Sequence, residues 1–350
     1  MLAGGARRAS PLLALLALLL LSGLWSGGPR CAAAAELSVT FFDIGQGDSV
    51  LIVSPAGKRV LIDGGPPEAG ERLVARLAAH RVELIDLVIL THPHADHLGG
   101  LKRVAAAVPI RMFLDAAYPS TSPAYTGLLN VLAQRGVTVK QAAAGRQIDL
   151  GGGALLTLLG PPAPWLTSTR SDINANSVVA RLTWQGRTAL FTGDSEPETE
   201  SWLLTQYGGA AGAGRLRAEL LKVAHHGGKY SSTVPFLQAV APQIAVISVG
   251  AGNDYGHPTP EALARLAQVG ARVLRTDQDG EVTVEDEAPP ADLLVGGQPR
   301  GVAPEPLGLD DRARIDVPEV DLAFANVDTL ARHRLDRVAA PCAPRRPRTP

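Results

Sequence analysis

Leu87-Val88-Ile89-Leu90-Thr91-His92-Pro93-His94-Ala95-Asp96-His97-Leu98-Gly99-Gly100 is the stretch on which the reading of this chain turns. An apolar run of strand length leads straight into three imidazoles and a carboxylate, and Leu98-Gly99-Gly100-Leu101 then opens a helix. Residues two apart in an extended segment share a side, so His92 and His94 can point at one centre. Asp96 and His97, at the turn into the helix, can face a second centre beside the first. Nitrogen and carboxylate donors of this kind are what Zn²⁺ takes, and Mn²⁺ where more oxygen is offered. The bland alternative is a polar strand-end loop with incidental histidines. Against it, six of the chain's eight histidines lie in this motif, in His225-His226 and at His257.

Outward from the motif, strand-like and helix-like stretches alternate at short spacing. The patterning predicts strands at 37–42, 49–53, 59–62, 84–90, 110–114, 154–159, 177–183, 188–191, 220–223, 244–249, 272–274 and 281–284. Helices are predicted at 71–79, 99–107, 125–134, 197–205, 234–240 and 260–269, where apolar residues recur three and four apart. About a dozen strands exceed one plain doubly wound sheet, and two sheets with helices outside them is the economical packing. No short internal repeat is present.

The 350 residues, 46% hydrophobic and 19% charged, suit a folded globular protein and exclude a disordered or collagen-like one. A formal charge of -1 gives no global basic footprint, so any contact with nucleic acid has to be local. Cys31 and Cys342 are the only cysteines, which excludes a disulfide scaffold and a cysteine-rich zinc site. Metal ligands must be histidine and carboxylate. Arg7 and Arg8, an apolar run at 12–25 and small residues at 32–35 read as a secretory signal peptide over 1–35, with a leader retained as a membrane anchor as the alternative. That run is shorter than the roughly 20 residues of a bilayer span, and no other segment could cross a membrane. From Asp286 onward Pro289-Pro290, Gly296-Gly297 and Pro299 break long elements. Ten acids stand against three arginines in 286–330, then six arginines against one acid in 331–350. The expectation is a folded domain at 36–285 and a Pro-rich, solvated, largely disordered tail at 286–350, a short docking helix over 321–338 being the alternative.

The residues at 92–97 resemble the HxHxDH signature of the metallo-β-lactamase superfamily, which implies an α/β fold of four layers, an αββα sandwich, with the metal site along one edge between the sheets. Gly193-Asp194, at the end of a predicted strand, resembles that family's metal-bridging aspartate. Asp63, in Leu61-Ile62-Asp63-Gly64-Gly65, matches the early aspartate that steadies a ligand. A narrower resemblance, over 37–284, is to the extracellular hydrolase domains of the ComEC family of DNA-uptake competence proteins. It is carried by Phe42-Asp43-Ile44-Gly45-Gln46-Gly47-Asp48-Ser49, Asn174-Ala175-Asn176-Ser177, Leu221-Lys222-Val223-Ala224-His225-His226-Gly227 and Tyr255-Gly256-His257-Pro258. It does not extend to that family's membrane channel. Two departures stand out: Asn174 and Asn176 occupy the stretch where many members have a histidine, and Gly228 stands where the competence domains usually have serine.

The resemblance implies His92, His94, Asp96, His97, Asp194 and His257 as metal ligands, with two Zn²⁺ per chain and Mn²⁺ as the alternative ion. Catalytic roles fall to Asp63, Asp96, His225 and His226. Either His225 is the ligand or general acid and His226 orients it, or the reverse. A capping role is the alternative for His257. Asn176, Lys229, Ser231 and Ser232 are candidate substrate contacts, the last three able to hold a phosphate by charge and hydrogen bonds or else to cap the next helix. Asp48 and Gln46 line the same mouth or form a plain turn.

A water shared by two cations is acidic enough to supply hydroxide near neutral pH, and a histidine such as His225 can protonate the leaving group. Three functions follow. The first is a secreted, metal-dependent phosphodiesterase or nuclease acting on single-stranded DNA, with a membrane channel as partner. The balance of 21 basic against 23 acidic residues in 36–285 counts against it, and Tyr118, Tyr125, Lys229 and Tyr230 are its local binding candidates. The second is a hydrolase of a small ester, lactone or β-lactam, with a different loop around 115–125; the third is a non-catalytic surface binding module. A fold does not choose among substrates.

Overall fold

Strand β4 (Ile85–Leu90) shows in six residues why the molecule is layered. Its side chains alternate, so Leu87 and Ile89 join one apolar cluster while Val88 and Leu90 join another on the opposite face. A strand apolar on both faces must be covered twice. The computed structural model describes residues 36–209 and 214–286, and the expected leader and all of the expected tail beyond Asp286 lie outside them.

The first sheet runs β14 (Val282–Asp286), β1 (Leu37–Phe41), β2 (Val50–Val53), β3 (Arg59–Ile62), β4, β5 (Ile110–Asp115), β6 (Thr138–Gln141). It is antiparallel from β14 to β3 and parallel from β3 to β6. The second runs β13 (Arg272–Arg275), β12 (Ile244–Ile247), β11 (Leu220–Lys222), β10 (Arg187–Phe191), β9 (Ala180–Trp184), β8 (Ala154–Leu158), β7 (Gln147–Gly151). Here β7 to β10 are antiparallel and β10 to β13 parallel. Both sheets thus share one plan, although no repeat is visible in the residues.

Between the sheets lie Val39, Phe41, Ile52, Ile62 and Ile89 from one side and Leu156, Leu182, Trp184, Phe191 and Val246 from the other. Helices α1 (Gly70–Ala79), α2 (Ala95–Leu98), α3 (Leu101–Ala107) and α4 (Pro123–Gln134) close the outer face of the first sheet with Leu73, Leu77, Leu98, Leu101, Val104, Leu128 and Leu132. Besides the short α5 (Asp172–Ala175), the second sheet is covered by α6 (Pro197–Tyr207), α7 (Val234–Val240) and α8 (Pro260–Gln268) through Leu203, Phe236, Leu237 and Leu266, with α9 (Thr276–Asp279) following β13. The expected four-layer sandwich is the observed one. Every predicted strand and helix is present, but β6 and β7 were not anticipated. Each forms one edge of its sheet, and each offers few apolar residues, Val139 alone in Thr-Val-Lys-Gln and Ile148 and Leu150 in Gln-Ile-Asp-Leu-Gly. The strand predicted from 177 begins only at Ala180: Ser177 to Val179 are buried, and Val178 N donates to Thr91 O at the start of the histidine motif. Among the described residues no helix is long and apolar enough to cross a membrane.

The consequence for function is one of address. Strands β3, β4, β10, β11 and β12 all end on the same edge, so Asp63, the 91–97 motif, Asp194, His225-His226 and Ser248 meet there.

Candidate metal centre

Asp63 follows β3 in a left-handed conformation (φ 61°) and is fully enclosed. Its carboxylate accepts from Thr91 N and Thr91 Oγ1, both at 2.7 Å, which fixes the end of β4. It also meets His97 Nδ1 at 2.8 Å and so turns the other ring nitrogen, Nε2, toward the cluster. The Gly-rich turn before β2 grips the same segment from outside: Asp48 N donates to Asp96 O at 3.1 Å. A Cβ on Gly47 (φ +150°) would sit 2.2 Å from that carbonyl, so only glycine allows this approach. Gln46 Oε1 accepts from Gly250 N at 3.1 Å and ties the turn to the loop after β12.

Within this frame Asp96, His97, Asp194 and His226 each bring one donor atom, all within 4.8 Å of one another. His226 Nε2 lies 3.2 Å from Asp96 Oδ2 and 3.6 Å from Asp194 Oδ2. His97 Nε2 stands 3.3 Å from Asp194 Oδ1, yet both atoms are buried with no aligned hydrogen bond. Buried polar atoms that converge without satisfying one another are what a cation site leaves when its ion is left out. On the other side of Asp194, His92 Nε2 is 3.9 Å from its Oδ2 and 3.1 Å from His94 Nδ1. Asp194 therefore stands between a histidine pair and a mixed carboxylate–histidine group. The donors fit a divalent cation.

Protonation follows from the same packing. Burial opposes charge on His97, but Asp194, Asp63 and Asp96 outweigh it and hold the ring well above the usual histidine range. His226 is raised to about 10 against burial by Asp194 and Asp48. Burial, with His97 next in size, pushes His92 well down, leaving it a neutral donor. Burial also raises Asp63, with His97 pulling the other way. Asp194 and Asp96 are lowered despite burial, chiefly by His97. A bound cation would take over the work of these protons.

The two adjacent histidines are divided by their backbones, both left-handed (φ 52° and 53°). His226 is buried, with Nδ1 2.9 Å from Ser248 O, and belongs to the donor cluster. His225 is 31% exposed, its Nδ1 3.0 Å from Glu196 Oε1 and its Nε2 3.8 Å from Asp194 Oδ2. Burial opposes a raised pKa there, but Glu196 and Asp194 prevail. His257 lies one ring further out, with centroids 5.7 Å from His225 and 6.4 Å from His226, outside the four converging donors. Burial and the charges on His226 and His225 push it down to about 4. A Cβ on Gly228 would come within 3.5 Å of His257 Nε2, so a serine at that position would touch this ring.

The candidate substrate contacts are placed differently from one another. Asn176 is fully buried and its amide is spent on Leu166 and Asp172: Oδ1 accepts from Leu166 N at 2.9 Å, and Nδ2 donates to Leu166 O at 2.8 Å and Asp172 O at 2.7 Å. It braces a loop, where the sequence led to the expectation of a substrate contact. Ser231 and Ser232 are also buried, whereas Lys229 is exposed and pairs with Glu261 at 3.0 Å. Of the aromatic candidates, Tyr125 is buried with its hydroxyl on Asp115, Tyr118 is half-buried on Trp165, and Tyr230 is exposed.

The loop at 228–233 is held from two sides. Arg265 donates to the carbonyls of Lys229, Ser231 and Ser232 at 2.7–2.9 Å, and buried Glu200 accepts from Ser232 N and Thr233 N. Burial raises Glu200 from an ordinary 4.5 to about 7. Between those values the folded chain keeps a proton that the unfolded chain has released. The group's contribution is therefore complete below 4.5 and lost as pH rises through 7, about 3 kcal/mol in all. Urea unfolding from pH 5 to 8 should show the wild-type chain losing stability relative to Glu200→Gln; parallel pH profiles would exclude this assignment.

Residues missed by sequence reasoning are Lys222 and Glu196. Lys222 is buried in β11, its ammonium against Asp48 Oδ2 and 3.3 Å from Gly193 O. A lysine within Leu220-Leu221-Lys222-Val223 was the available signal. Glu196 offered only its place two residues after Asp194.

Residues 42–251 match the family model of the metallo-beta-lactamase superfamily. The chain belongs to this superfamily, and its layers and converging donors define a metal-dependent hydrolase. Among curated proteins it is 30% identical over 266 residues to ComE operon protein 3 of Bacillus subtilis, covering 71% of this chain and 33% of that protein. It is 34% identical over 267 residues to competence protein ComA of Neisseria gonorrhoeae, covering 75% and 34%. The chain thus spans about a third of the length of these relatives. A metallo-beta-lactamase fold protein of Bacillus subtilis, YhfI, aligns over 68% of this chain and 95% of its own with a TM-score of 0.44 and 12% identity.

Proposed function

We propose that this chain is an exported phosphodiesterase that cleaves DNA, working beside a membrane channel in DNA uptake. The observation that carries the reading is His225: a partly exposed imidazole whose Nδ1 is held by Glu196, which favours its protonated form, at the mouth of a buried donor cluster. An alkoxide leaving from phosphorus needs a proton, and an imidazole at the mouth is placed to give it. The kinship with a competence protein supports nucleic acid as the polymer.

His92, His94, Asp96, His97, Asp194 and His226 would hold the metal, with His257 beside them, and Zn²⁺ is the ion their nitrogen-rich set favours over Mn²⁺. Bound there, divalent cations supply a Lewis acid for the phosphoryl oxygens and a nucleophile at neutral pH. Asp63 orients His97 through Nδ1, and Ser248 O does the same for His226. Glu196 leaves His225 Nε2 free to carry the proton toward the substrate.

Metal analysis of the purified chain, followed by assays with added Zn²⁺ or Mn²⁺ on labelled DNA and on a chromogenic lactam, tests this. Two metals per chain with DNA cleavage is the expected result. Lactam or ester turnover alone would move the assignment to a small-substrate hydrolase. Less than one metal after loading, with neither substrate consumed, would leave a binding module.

A further inference from the structure

Among the described residues the large hydrophobic side chains left exposed are Tyr255, at 69%, and Tyr230, at 49%. Both stand on loops that carry the site's histidines, and each is linked to His225 by an unbroken series of contacts. Tyr255 stacks on His257 (centroids 5.8 Å, 27°), whose ring is 5.7 Å from His225. By a second series, the Arg170 guanidinium lies 3.6 Å from the Tyr230 ring centroid and 3.9 Å from Glu196, which holds His225 Nδ1.

We infer that Tyr255 and the Tyr230–Arg170 pair, each joined to His225 by its own series of contacts, are base-stacking steps that select single-stranded nucleic acid; this rests on the phosphodiesterase reading above. A stacked platform suits an unpaired base because every base offers a π-face, whereas the faces inside a duplex are already covered. The His257 ring backs Tyr255 and holds its plane, so little freedom is lost when a base lands on it. Arg170, over the Tyr230 ring, presents a guanidinium for a base or for a phosphate oxygen. The near-neutral charge of the domain is then no obstacle, because the rim supplies affinity through rings and one or two local cations.

The test measures anisotropy of a fluorescein-labelled, phosphorothioate-linked octathymidylate bound to the metal-loaded full chain, beside the same backbone with abasic sites and beside a duplex. Tyr255→Ala should weaken the base-bearing strand about tenfold and erase the preference over the abasic strand, and Tyr255→Trp should restore it. Equal affinity of wild type and Tyr255→Ala for the base-bearing strand, or duplex binding as tight as single-strand binding, would overturn the platform. The two readings fail separately. Cleavage of DNA without base-dependent binding would remove the platform and keep the phosphodiesterase; base-dependent binding without cleavage in either metal would do the opposite.

Discussion

Asp194→Ala should leave a folded chain whose metal content collapses and whose turnover falls by about a thousandfold or more. The carboxylate stands between the two donor groups, 3.3 Å from His97, 3.6 Å from His226 and 3.9 Å from His92, so its loss touches both. The fold should survive because the side chain adds no apolar packing and its cationic neighbours can adjust: without Asp194, His97 and His226 can release their protons instead of remaining as unpaired buried charges. His94→Ala removes a half-buried ring from one group alone and should lose less metal for a similar loss of rate. Metal analysis, far-UV circular dichroism and a rate assay on each variant decide the matter. A full-rate Asp194→Ala would end the assignment of this cluster as the active centre.

How much of this was legible beforehand depends on whether a residue acts through its own type or through what surrounds it. The HxHxDH run declares itself by donor type beside a strand end, Gly193-Asp194 by its resemblance to the superfamily's pattern, and alternation in segments such as Leu87 to Leu90 declares two buried faces. The sandwich was therefore readable. The division of labour between His225 and His226 was not, since both take left-handed conformations and only tertiary packing puts one beside Asp96 and the other beside Glu196. The part Asn176 plays was equally hidden, because its partners, Leu166 and Asp172, are loop backbone that no spacing shows. Strands β6 and β7 escaped for the opposite reason: one apolar residue in the first, Val139, and two in the second, Ile148 and Leu150, make too short a run to read as a strand.

Lys222→Met should destabilise the chain by about 3–5 kcal/mol, the usual cost of leaving one member of a buried ion pair without its partner. Lys222 and Asp48 are both almost fully enclosed. Burial alone would raise the Asp48 carboxyl, but Lys222 and then His226 hold it below its ordinary 3.8, so the pair's stabilisation is present above that value and fades as pH falls below it. Removing the ammonium, which also lies 4.0 Å from Asp194 Oδ1, leaves Asp48 with its Oδ1 3.3 Å from His226 Nδ1 and its Oδ2 3.8 Å from His97 Nδ1. Asp48 would then take a proton or compete for those rings, and either response disturbs donors that must stay aimed at the metal. Urea unfolding of Lys222→Met, Asp48→Asn and the double variant measures this as a cycle. The double variant should be more stable than the sum of the single losses allows, because with both charges gone neither is stranded. Strict additivity would mean that the two charges do not depend on each other, and that Lys222 is held in β11 by its contact with Gly193 O instead.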